Sequence, residues 1–431
     1  MKLLVVGSGA REHALVWKFM QERQIDEVVC APGNAGIMQD ARCVPIEVED
    51  PDAILQLARQ EAVDLTVIGP ELPLACGVAD TFAAAGKPLF GPNRMVARLE
   101  SSKAFAKHFM ARHGIPTARF RVCVSENEAL AAVAGDIFEF PVVVKADGLA
   151  AGKGVLIAPD RSTAEAAVHA AMVDRQFGEA GAQVVIEECL IGQEVSCFAL
   201  CDGRRGIMLP SAQDHKRAKD GDEGLNTGGM GAFAPSPLLT DVSQARVTSQ
   251  IVDPVLEGLR AEGYEYRGVL YVGLMLTTDG PKVIEFNVRF GDPEAQVVLP
   301  MVESDLAPVL LAAATGDLSE VTWRVTSDPH VGVVLASGGY PGKYDIGFPI
   351  EGLDAAKAEP GVVVFHAGSA CRDGKIVTSG GRVLTVVGRG ATYADAIGRA
   401  YRAVAHISFT GRHIRTDIGQ KAIKIVAASG R

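Results

Sequence analysis

The first hundred residues alternate short apolar runs with longer stretches of helical spacing. The apolar runs are rich in β-branched residues and predict buried strands at LLVVG (3–7), EVVCA (27–31), DLTVIG (64–69) and KPLFG (87–91). Helices are predicted between them at 12–21, 52–60 and 77–86. Strands separated by helices in this way indicate a parallel sheet covered on both faces. The pattern therefore predicts a doubly wound α/β domain over residues 1–101.

The pattern changes after a predicted helix at 101–114. Strands are predicted at 120–124, 142–146, 155–158 and 184–188, with helices at 125–134 and 162–174. Residues 193–210 suggest consecutive strands, and 267–290 a hairpin closed at Asp279-Gly280. Runs of strands favour an antiparallel, α+β arrangement. We predict a central domain over 102–326 with a flap subdomain at about 120–190, and a small mixed C-terminal domain over 327–431.

Length and charge agree with this division and exclude some partners. A chain of 431 residues suits about three domains of ~150 residues. The net charge of −10 does not favour nucleic acid or an anionic membrane as a partner. The eight cysteines form no C-x-x-C motif, and no apolar run approaches the ~20 residues of a membrane span. We expect a cytoplasmic protein with reduced thiols.

The turn GSGAREHA (7–14) only partly matches a dinucleotide-binding motif. Glu12 stands where the third glycine is needed, and no acidic residue ends the second predicted strand, at Cys30-Ala31-Pro32. An NAD-dependent oxidoreductase is therefore disfavoured. We interpret the turn as a phosphate site at a helix N-terminus, with backbone N–H groups and Arg11 as donors. A plain strand-to-helix turn is the alternative.

The segment GLAAGKG (148–154) differs from a P-loop at two positions. Asp147 stands where that motif has glycine, and Gly154 where it has serine or threonine. Lys145 nevertheless ends a predicted strand, and Lys153 lies in the glycine-rich loop that follows. Two ammonium groups beside flexible glycines suit a flap that closes over a triphosphate. Two solvated surface lysines are the alternative.

The strand KVIEFNVRF (282–290) carries polar residues at every second position. Because alternate side chains of a strand share a face, Glu285, Asn287 and Arg289 fall on one face. The opposite face is apolar and predicts core positions at Ile284, Phe286, Val288 and Phe290. A carboxylate, an amide oxygen and a guanidinium in a row form an oxygen-ligand site for Mg²⁺ beside an anion clamp. Ordinary surface polar residues are the alternative.

Several motifs together carry a family resemblance that extends over the chain. Lys145, the glycine-rich flap, VVIEECLIGQEVS (184–196) and IEFNVRFGDPE (284–294) resemble the ATP-grasp fold. More narrowly, the chain resembles the glycinamide ribonucleotide synthetase family at GSGAREHA, APGNAG (31–36), GPELPLACG (69–77), SAQDHKR (211–217), NTGGMGAF (226–233) and RFGDPEAQ (289–296). It departs from the family at Ser8, Ala10 and Leu225. The methyl group of Ala10 would narrow the phosphate turn if this residue needs a positive φ.

The resemblance implies an ATP-dependent ligation in purine biosynthesis. Glycine would be joined to 5-phosphoribosylamine through a glycyl phosphate, giving glycinamide ribonucleotide, ADP and phosphate, with Mg²⁺ or Mn²⁺ as the metal. By resemblance, Glu285 and Asn287 bind the metal, Lys103 and Lys145 contact ATP phosphates, and Lys153 acts from the flap. Glu187 and the backbone around Leu190 would bind adenine, and Glu194 the ribose hydroxyls.

The remaining expected roles concern the two other substrates. Arg289 would hold the carboxylate or acyl phosphate, and Asp214 the glycine ammonium, with Lys216 as a further catalytic residue. The residues expected at phosphoribosylamine are Gly9, Arg11, His13, Asn34 and Glu71. His13 could instead cap its turn, and His215 is either a general base or a structural hydrogen-bonding residue. Transient contact with the enzyme that supplies phosphoribosylamine stays open.

Two alternatives within nucleotide-binding proteins stay open at this stage. One is another ATP-grasp ligase of the purine pathway, of the carboxylating or formylating kind, which would lack the RFGDPE block. The other is a non-catalytic nucleotide sensor, which would keep adenine contacts but could dispense with Glu285 and Asn287.

Overall fold

The first part of the chain folds into a five-stranded parallel sheet, which we call the N-terminal sheet. The computed structural model describes residues 1–135, 137–149 and 154–429. The strand order is β3-β2-β1-β4-β5, and all four pairings are parallel. The strands are β1 Lys2–Gly7, β2 Glu27–Pro32, β3 Arg42–Cys43, β4 Leu65–Ile68 and β5 Leu89–Phe90. The helices are α1 Ala10–Phe19, α2 Ile37–Asp40, α3 Pro51–Gln60, α4 Glu71–Cys76, α5 Val78–Ala84 and α6 Arg94–Ser101.

The strand order of this sheet reverses between β1 and β4. Chains that leave these two strands in opposite directions open a crevice at their carboxyl ends. The turn after β1 therefore lies beside Gly69-Pro70, which follows β4. Residues Leu3 to Val6 of β1 are fully buried, because helices cover both faces of the sheet. The doubly wound prediction is confirmed.

A second, antiparallel sheet forms the flap, in the order β6-β9-β7-β8. After α7 Lys103–Arg112, its elements are β6 Phe120–Cys123, α8 Glu126–Ala134, β7 Val142–Ala146, β8 Val155–Ala158, α9 Arg161–Met172 and β9 Val184–Glu188. One face of this flap sheet packs on α8 and α9 and has a small core of its own, with Val144 and Ile186 at its centre. Its other face carries Lys145 and Glu187.

The central sheet has the order β11-β10-β16-β17 and is antiparallel. Strands β16 and β17 form the predicted hairpin. The strands of this part are β10 Gln193–Asp202, β11 Gly206–Met208, β12 Gln213–Asp214, β13 Arg217–Lys219, β14 Glu223–Asn226, β15 Gly231–Ala234, β16 Arg267–Thr277 and β17 Gly280–Asn287. The helices are α10 Asp241–Val247, α11 Asp253–Ala261, α12 Glu294–Val298 and α13 Leu306–Thr315.

A β-bulge interrupts the predicted alternation in β17. Gly273 pairs with Glu285, but the next residue, Leu274, pairs with Val283, so Ile284 is the extra residue. Val283 is fully buried and takes the core position, whereas Ile284 is only half-buried. The prediction of Ile284 as a core residue is therefore wrong, while Phe286 and Val288 are buried as predicted. Phe290 is also buried, but in a different cluster, with residues of α1.

The C-terminal sheet combines strands from two parts of the chain. Its order is β12-β15-β18-β22-β19, so β15, which pairs with β12 on one side, pairs on the other with β18, a strand that follows the predicted boundary at residue 326. That boundary therefore does not separate one sheet from the next. The later elements are β18 His330–Ala336, α14 Leu353–Lys357, β19 Val362–His366, β20 Ser369–Arg372, β21 Lys375–Thr378, β22 Arg382–Arg389, α15 Tyr393–His406 and α16 Gln420–Ser429. Over the described part of the chain, no helix has the length and apolarity needed to cross a membrane.

Candidate active site

Strand β17 brings the predicted metal ligands and Arg289 to one place. The Arg289 Nη2 atom lies 3.4 Å from the Asn287 side-chain oxygen. Burial works to raise the pKa of Glu285, but the charges of Lys216, Lys145, Lys103 and Arg289 outweigh it and hold that pKa below its usual value. Glu285 is therefore an ionised carboxylate beside an amide oxygen, and Mg²⁺ favours ligands of this type.

Arg289 is held by two carboxylates from the N-terminal part of the chain. Its Nη2 atom lies 2.8 Å from Glu100 and its Nε atom 3.2 Å from Glu71. Although burial opposes the charge, Glu100 and Glu71 raise the pKa of Arg289 above its usual value. Glu100 also accepts the Val288 N–H at 2.8 Å. The sequence reasoning missed Glu100, because nothing in the local pattern of α6 distinguishes it from a surface glutamate.

The expected nucleotide-binding lysines meet where α7, the flap sheet and β17 converge. Lys103 Nζ donates to the Gly148 carbonyl at 2.9 Å, and Lys145 Nζ to the Ile284 carbonyl at 3.2 Å. Burial lowers the pKa of Lys103 in spite of the nearby Glu285 carboxylate. Lys153, the expected flap residue, lies outside the described residues.

The Glu187 carboxylate contacts two lysines. This side chain is buried and lies 2.8 Å from Lys107 Nζ and 3.0 Å from Lys145 Nζ. It therefore holds two lysines in this structure, and its expected contact with adenine stays a prediction. Leu190 lies in the loop between the flap sheet and the central sheet, and its side chain is half-buried. The sequence reasoning did not identify Lys107.

Asp214, Lys216 and Glu194 form a charged group at the edge of β12. Lys216 Nζ lies 2.8 Å from the Glu194 carboxylate, so Glu194, which was expected to bind ribose, has a protein partner here. Burial raises the pKa of Asp214 to about 7, with Glu294 and Glu194 adding to the effect and Lys216 opposing it. Burial lowers the pKa of Lys216, but Asp214 and Glu194 outweigh this and raise it well above its usual value.

Glu294 of the RFGDPE segment lies in a buried network that the sequence did not reveal. Its Oε1 atom accepts from the Tyr271 hydroxyl at 3.1 Å and the Ser196 hydroxyl at 3.3 Å. Those two hydroxyls lie 3.0 Å apart. Ser196 and Tyr271 come from neighbouring strands of the central sheet, so their proximity depends on the β10–β16 register and leaves no trace in the local sequence.

His215 packs against the C-terminal part of the fold. Its buried ring packs edge-on against Phe233, with ring centroids 5.9 Å apart. Burial lowers the pKa of His215 to about 4, and Lys421 and Arg415 act in the same direction. Within the described residues, neither ring nitrogen has a hydrogen-bond partner. These neighbours belong to the C-terminal sheet and tail, whereas Asp214 and Lys216 interact with the active-site carboxylates.

The glycine-rich turn after β1 already contains an anion of its own. The Glu12 carboxylate accepts the Gly9 N–H at 2.5 Å and Arg11 Nε at 2.6 Å. A Cβ atom added at Gly69 would lie only 1.9 Å from the Glu12 carboxylate, so the side chain fills the turn. Both expected donors, Gly9 N–H and Arg11, contact Glu12 in this structure, and the phosphate site stays a prediction. Ala10 lies in α1 and does not need a positive φ.

His13 and Asn34 join the N-terminal part to strand β19. His13 Nδ1 accepts the His366 N–H at 2.8 Å, and its Nε2 atom lies 3.0 Å from Asp40. The Asn34 amide donates to the Ser8 and His366 carbonyls at 2.8 Å each, while its oxygen accepts from the start of α2. Both side chains thus use their polar atoms within the protein instead of facing a substrate. Glu71 differs, because its carboxylate is partly exposed beside Arg289.

The flap sheet, the central hairpin and the lysines and carboxylates between them define an ATP-grasp enzyme. Three family models, described as the N, ATP-grasp (A) and C domains of phosphoribosylglycinamide synthetase, match residues 1–100, 101–295 and 330–421. The chain belongs to the phosphoribosylglycinamide synthetase family. It is therefore an ATP-dependent ligase of purine biosynthesis, as the sequence predicted, and the carboxylating, formylating and oxidoreductase alternatives are removed.

Similar proteins carry consistent names. The chain is 49% identical over 427 residues to a phosphoribosylamine–glycine ligase of Xylella fastidiosa, with 98% of each chain covered. It is 50% identical over 426 residues to the enzyme of that name from Allochromatium vinosum, covering 98% of this chain and 99% of the other. A trifunctional purine biosynthetic protein of Gallus gallus is 48% identical, with 99% of this chain but 43% of that protein covered.

Solved structures agree on the fold. Phosphoribosylamine–glycine ligase from Thermotoga maritima superposes with a TM-score of 0.84 at 36% identity, covering 97% of this chain and 100% of that one. A Campylobacter jejuni biotin carboxylase in complex with an ATP analogue has a TM-score of 0.72 at 15% identity, covering 96% of this chain and 92% of that one. At that identity the second likeness shows the fold alone.

Proposed function

We propose that the chain joins glycine to 5-phosphoribosylamine at the expense of ATP, giving glycinamide ribonucleotide, ADP and phosphate. The observation that carries this proposal is the convergence on β17. Glu285, Asn287 and Arg289 lie beside Lys145, and the charges of Lys103 and Lys216 are felt at Glu285. The names of the similar proteins supply the substrates.

In the proposed first step, a glycine carboxylate oxygen attacks the γ-phosphorus of ATP. The new O–P bond forms as the bond to the β-phosphate oxygen breaks, which gives glycyl phosphate and ADP. Two anions approach each other in this step, so the cationic side chains of Lys103, Lys145 and Arg289 must offset their repulsion. Glu285 and Asn287 would hold Mg²⁺ or Mn²⁺, which neutralises phosphate charge when it is bound.

In the proposed second step, the amine of phosphoribosylamine attacks the glycyl carbonyl carbon. A C–N bond forms, phosphate leaves with the C–O electron pair, and the attacking nitrogen loses a proton. We assign Asp214 to the glycine ammonium, with Lys216 holding Asp214 in place. Acyl phosphates hydrolyse readily, so water must be excluded, and we assign this task to the loop that carries Lys153.

Recognition of the other ligands follows from the side chains that remain available. We propose that the backbone near Leu190 binds adenine. We also propose that Glu194 releases Lys216 when ATP binds and then accepts hydrogen bonds from the ribose hydroxyls. Glu71 is our candidate for phosphoribosylamine on the N-terminal part, since Gly9, Arg11, His13 and Asn34 have protein partners. Because phosphoribosylamine is labile, we also propose that the enzyme that makes it transfers it directly to this protein during a transient contact. The eight free thiols support a reducing, cytoplasmic setting.

The proposed function is tested by ADP release with a panel of small carboxylates, each with and without phosphoribosylamine. Rapid release should require both glycine and phosphoribosylamine. Alanine should fail, because its methyl group would clash in a pocket built for glycine. Turnover with malate, formate or bicarbonate at the rate seen with glycine would refute the substrate assignment.

A further inference from the structure

Lys107 is a buried lysine of α7 whose ammonium group lies beneath the expected nucleotide site. Its side chain is only 2% exposed. The Nζ atom lies 2.8 Å from the Glu187 carboxylate and donates to the Thr117 hydroxyl at 2.7 Å. Thr117 in turn donates to the Val283 carbonyl of β17 at 2.7 Å. Lys107 therefore joins α7, the flap sheet and the central sheet at one point.

Glu187 is shared between Lys107 and Lys145. Lys145 Nζ lies 3.0 Å from Glu187, and the Glu187 side chain is 3% exposed. Two ammonium groups thus share the Glu187 carboxylate, and the charge of Lys145 also acts on Glu285 across the site. Removing Lys107 would leave Glu187 to Lys145 alone. Lys145 lies between the Glu187 carboxylate and β17. Of these three side chains, it is the one that the proposed function places at the ATP phosphates.

We propose that Lys107 is a positioning residue that neutralises Glu187 and so leaves the charge of Lys145 available to the phosphates of ATP. Without Lys107, Glu187 and Lys145 form a closed one-to-one ion pair, and the attraction for the nucleotide is lost. The inference rests on the proposed function for the role of Lys145, and it adds a residue that does not touch the nucleotide itself.

The charge of Lys107 depends on pH within a range that is easily measured. Burial lowers the pKa of Lys107 to about 8, and Lys145 acts in the same direction, while Glu187 and Glu188 oppose them. Lys107 is therefore charged below pH 8 and loses its proton as the pH rises through that value. Because the protonated form neutralises Glu187, nucleotide affinity should be highest well below pH 8 and should decline as the pH rises through 8.

The first experiment compares nucleotide binding in Lys107→Met and in wild type. The probe is a non-hydrolysable ATP analogue with Mg²⁺, titrated calorimetrically at pH 7 without glycine. We expect binding about 10- to 100-fold weaker in the variant, in line with losses on removing one member of a buried charge pair. Lys18→Met is the matched control, since Lys18 is also buried but donates to the Val302 carbonyl far from this site. It should bind the analogue like wild type.

The second experiment separates neutralisation from packing. Lys107→Met/Glu187→Gln removes both charges, so Lys145 is no longer paired and affinity should recover at least tenfold over Lys107→Met. Thr117→Val removes the other partner of Lys107 but keeps its charge, and binding should change less than threefold. The inference would be overturned if the double variant bound the analogue as weakly as Lys107→Met does. It would also be overturned if Lys107→Met bound the analogue like wild type.

The pH series works without any variant and keeps the inference testable if Lys107→Met does not fold. Wild-type affinity for the analogue should decline between pH 7 and 9.5 towards the value of Lys107→Met, while the variant stays level. Constant wild-type affinity over this range would overturn the inference. Absence of nucleotide binding in wild type at pH 7 would instead refute the proposed function.

Discussion

Glu285 is the residue on which the proposed chemistry most directly depends, because it is the ionised oxygen ligand on β17. Glu285→Gln keeps the shape of the side chain and deletes its charge. We expect kcat to fall by about two to four decades, which corresponds to ~3–5 kcal/mol of lost transition-state stabilisation. Steady-state ADP release at saturating glycine measures this loss, and added Mg²⁺ should restore activity only in part.

Phe286, the next residue, provides the matched control for Glu285. It packs in the core on the opposite face of β17, and Phe286→Ala should cost ~3–5 kcal/mol of folding free energy. Chemical denaturation should therefore separate the two variants, with Glu285→Gln unfolding like wild type. Near-normal turnover in Glu285→Gln, or unfolding of both variants at the same denaturant concentration, would show that this strand does not present a metal site.

Single residues were predictable where their role follows from the strand on which they lie. The polar face of β17 was predicted because alternation along a strand fixes it. The surroundings of His215 and the ion pairs of Glu187 were not, since each depends on a partner distant in sequence. The Phe233 ring and the C-terminal tail surround His215, and Lys107 from α7 reaches Glu187. No local pattern encodes those approaches.

At the scale of elements, helix α1 is capped by its own Glu12. This carboxylate is 1% exposed and is the ion-pair partner of the buried Arg11. Glu12→Gln would leave the Arg11 charge without that partner and should destabilise the fold by on the order of 3 kcal/mol. Denaturant titration measures the loss.

Glu61→Gln is the control for Glu12→Gln. Glu61 pairs with Lys2 and Arg42 near the surface, where ion pairs contribute about 0–1 kcal/mol. A Glu12→Gln variant that kept its stability and bound inorganic phosphate more tightly would contradict our interpretation. It would show that the α1 N-terminus is a phosphate site in which Glu12 is a placeholder.

The order and type of most elements followed from the hydrophobic pattern, but their irregularities did not. Four of the five N-terminal strands and the β16–β17 hairpin were predicted within a few residues of their observed ends, whereas the two-residue strand β3 was not predicted. The bulge at Ile284 was missed, because it depends on the pairing of β17 with Gly273 and not on the strand itself. The same limit applied to β15, whose neighbour β18 begins almost a hundred residues later.

At the scale of the whole molecule, the C-terminal tail fastens the segment that carries Asp214 and Lys216. Arg415 is fully buried and lies 3.0 Å from Asp222 and 2.7 Å from Asp417. It also donates to the Arg217 carbonyl at 3.1 Å. Arg415→Met should cost about 2–3 kcal/mol of stability, because the variant loses charged hydrogen bonds from a buried guanidinium to two partly exposed carboxylates, and it should lower kcat.

Arg402→Met is the comparison for this change. Arg402 is 60% exposed and pairs with Glu359 on the surface, so Arg402→Met should change the free energy of unfolding by no more than about 1 kcal/mol. Denaturation curves and ADP-release assays on both variants provide the measurement. If Arg415→Met unfolded at the same denaturant concentration as Arg402→Met, the tail would not secure the Asp214 segment.

The C-terminal sheet combines strands from two distant parts of the chain, so its strands are made at different times during synthesis on the ribosome. The chain emerges from its N-terminus, so β12 and β15 leave the exit tunnel long before β18, to which β15 pairs. The N-terminal sheet can close as soon as β5 is made, and the flap sheet once β9 is made. The β12–β15 segment that carries Asp214 gains its pairing with β18 only after Ala336 has been made. A nascent chain can therefore form the parts that carry Lys103 and Lys145 before the sheet that carries Asp214 is complete.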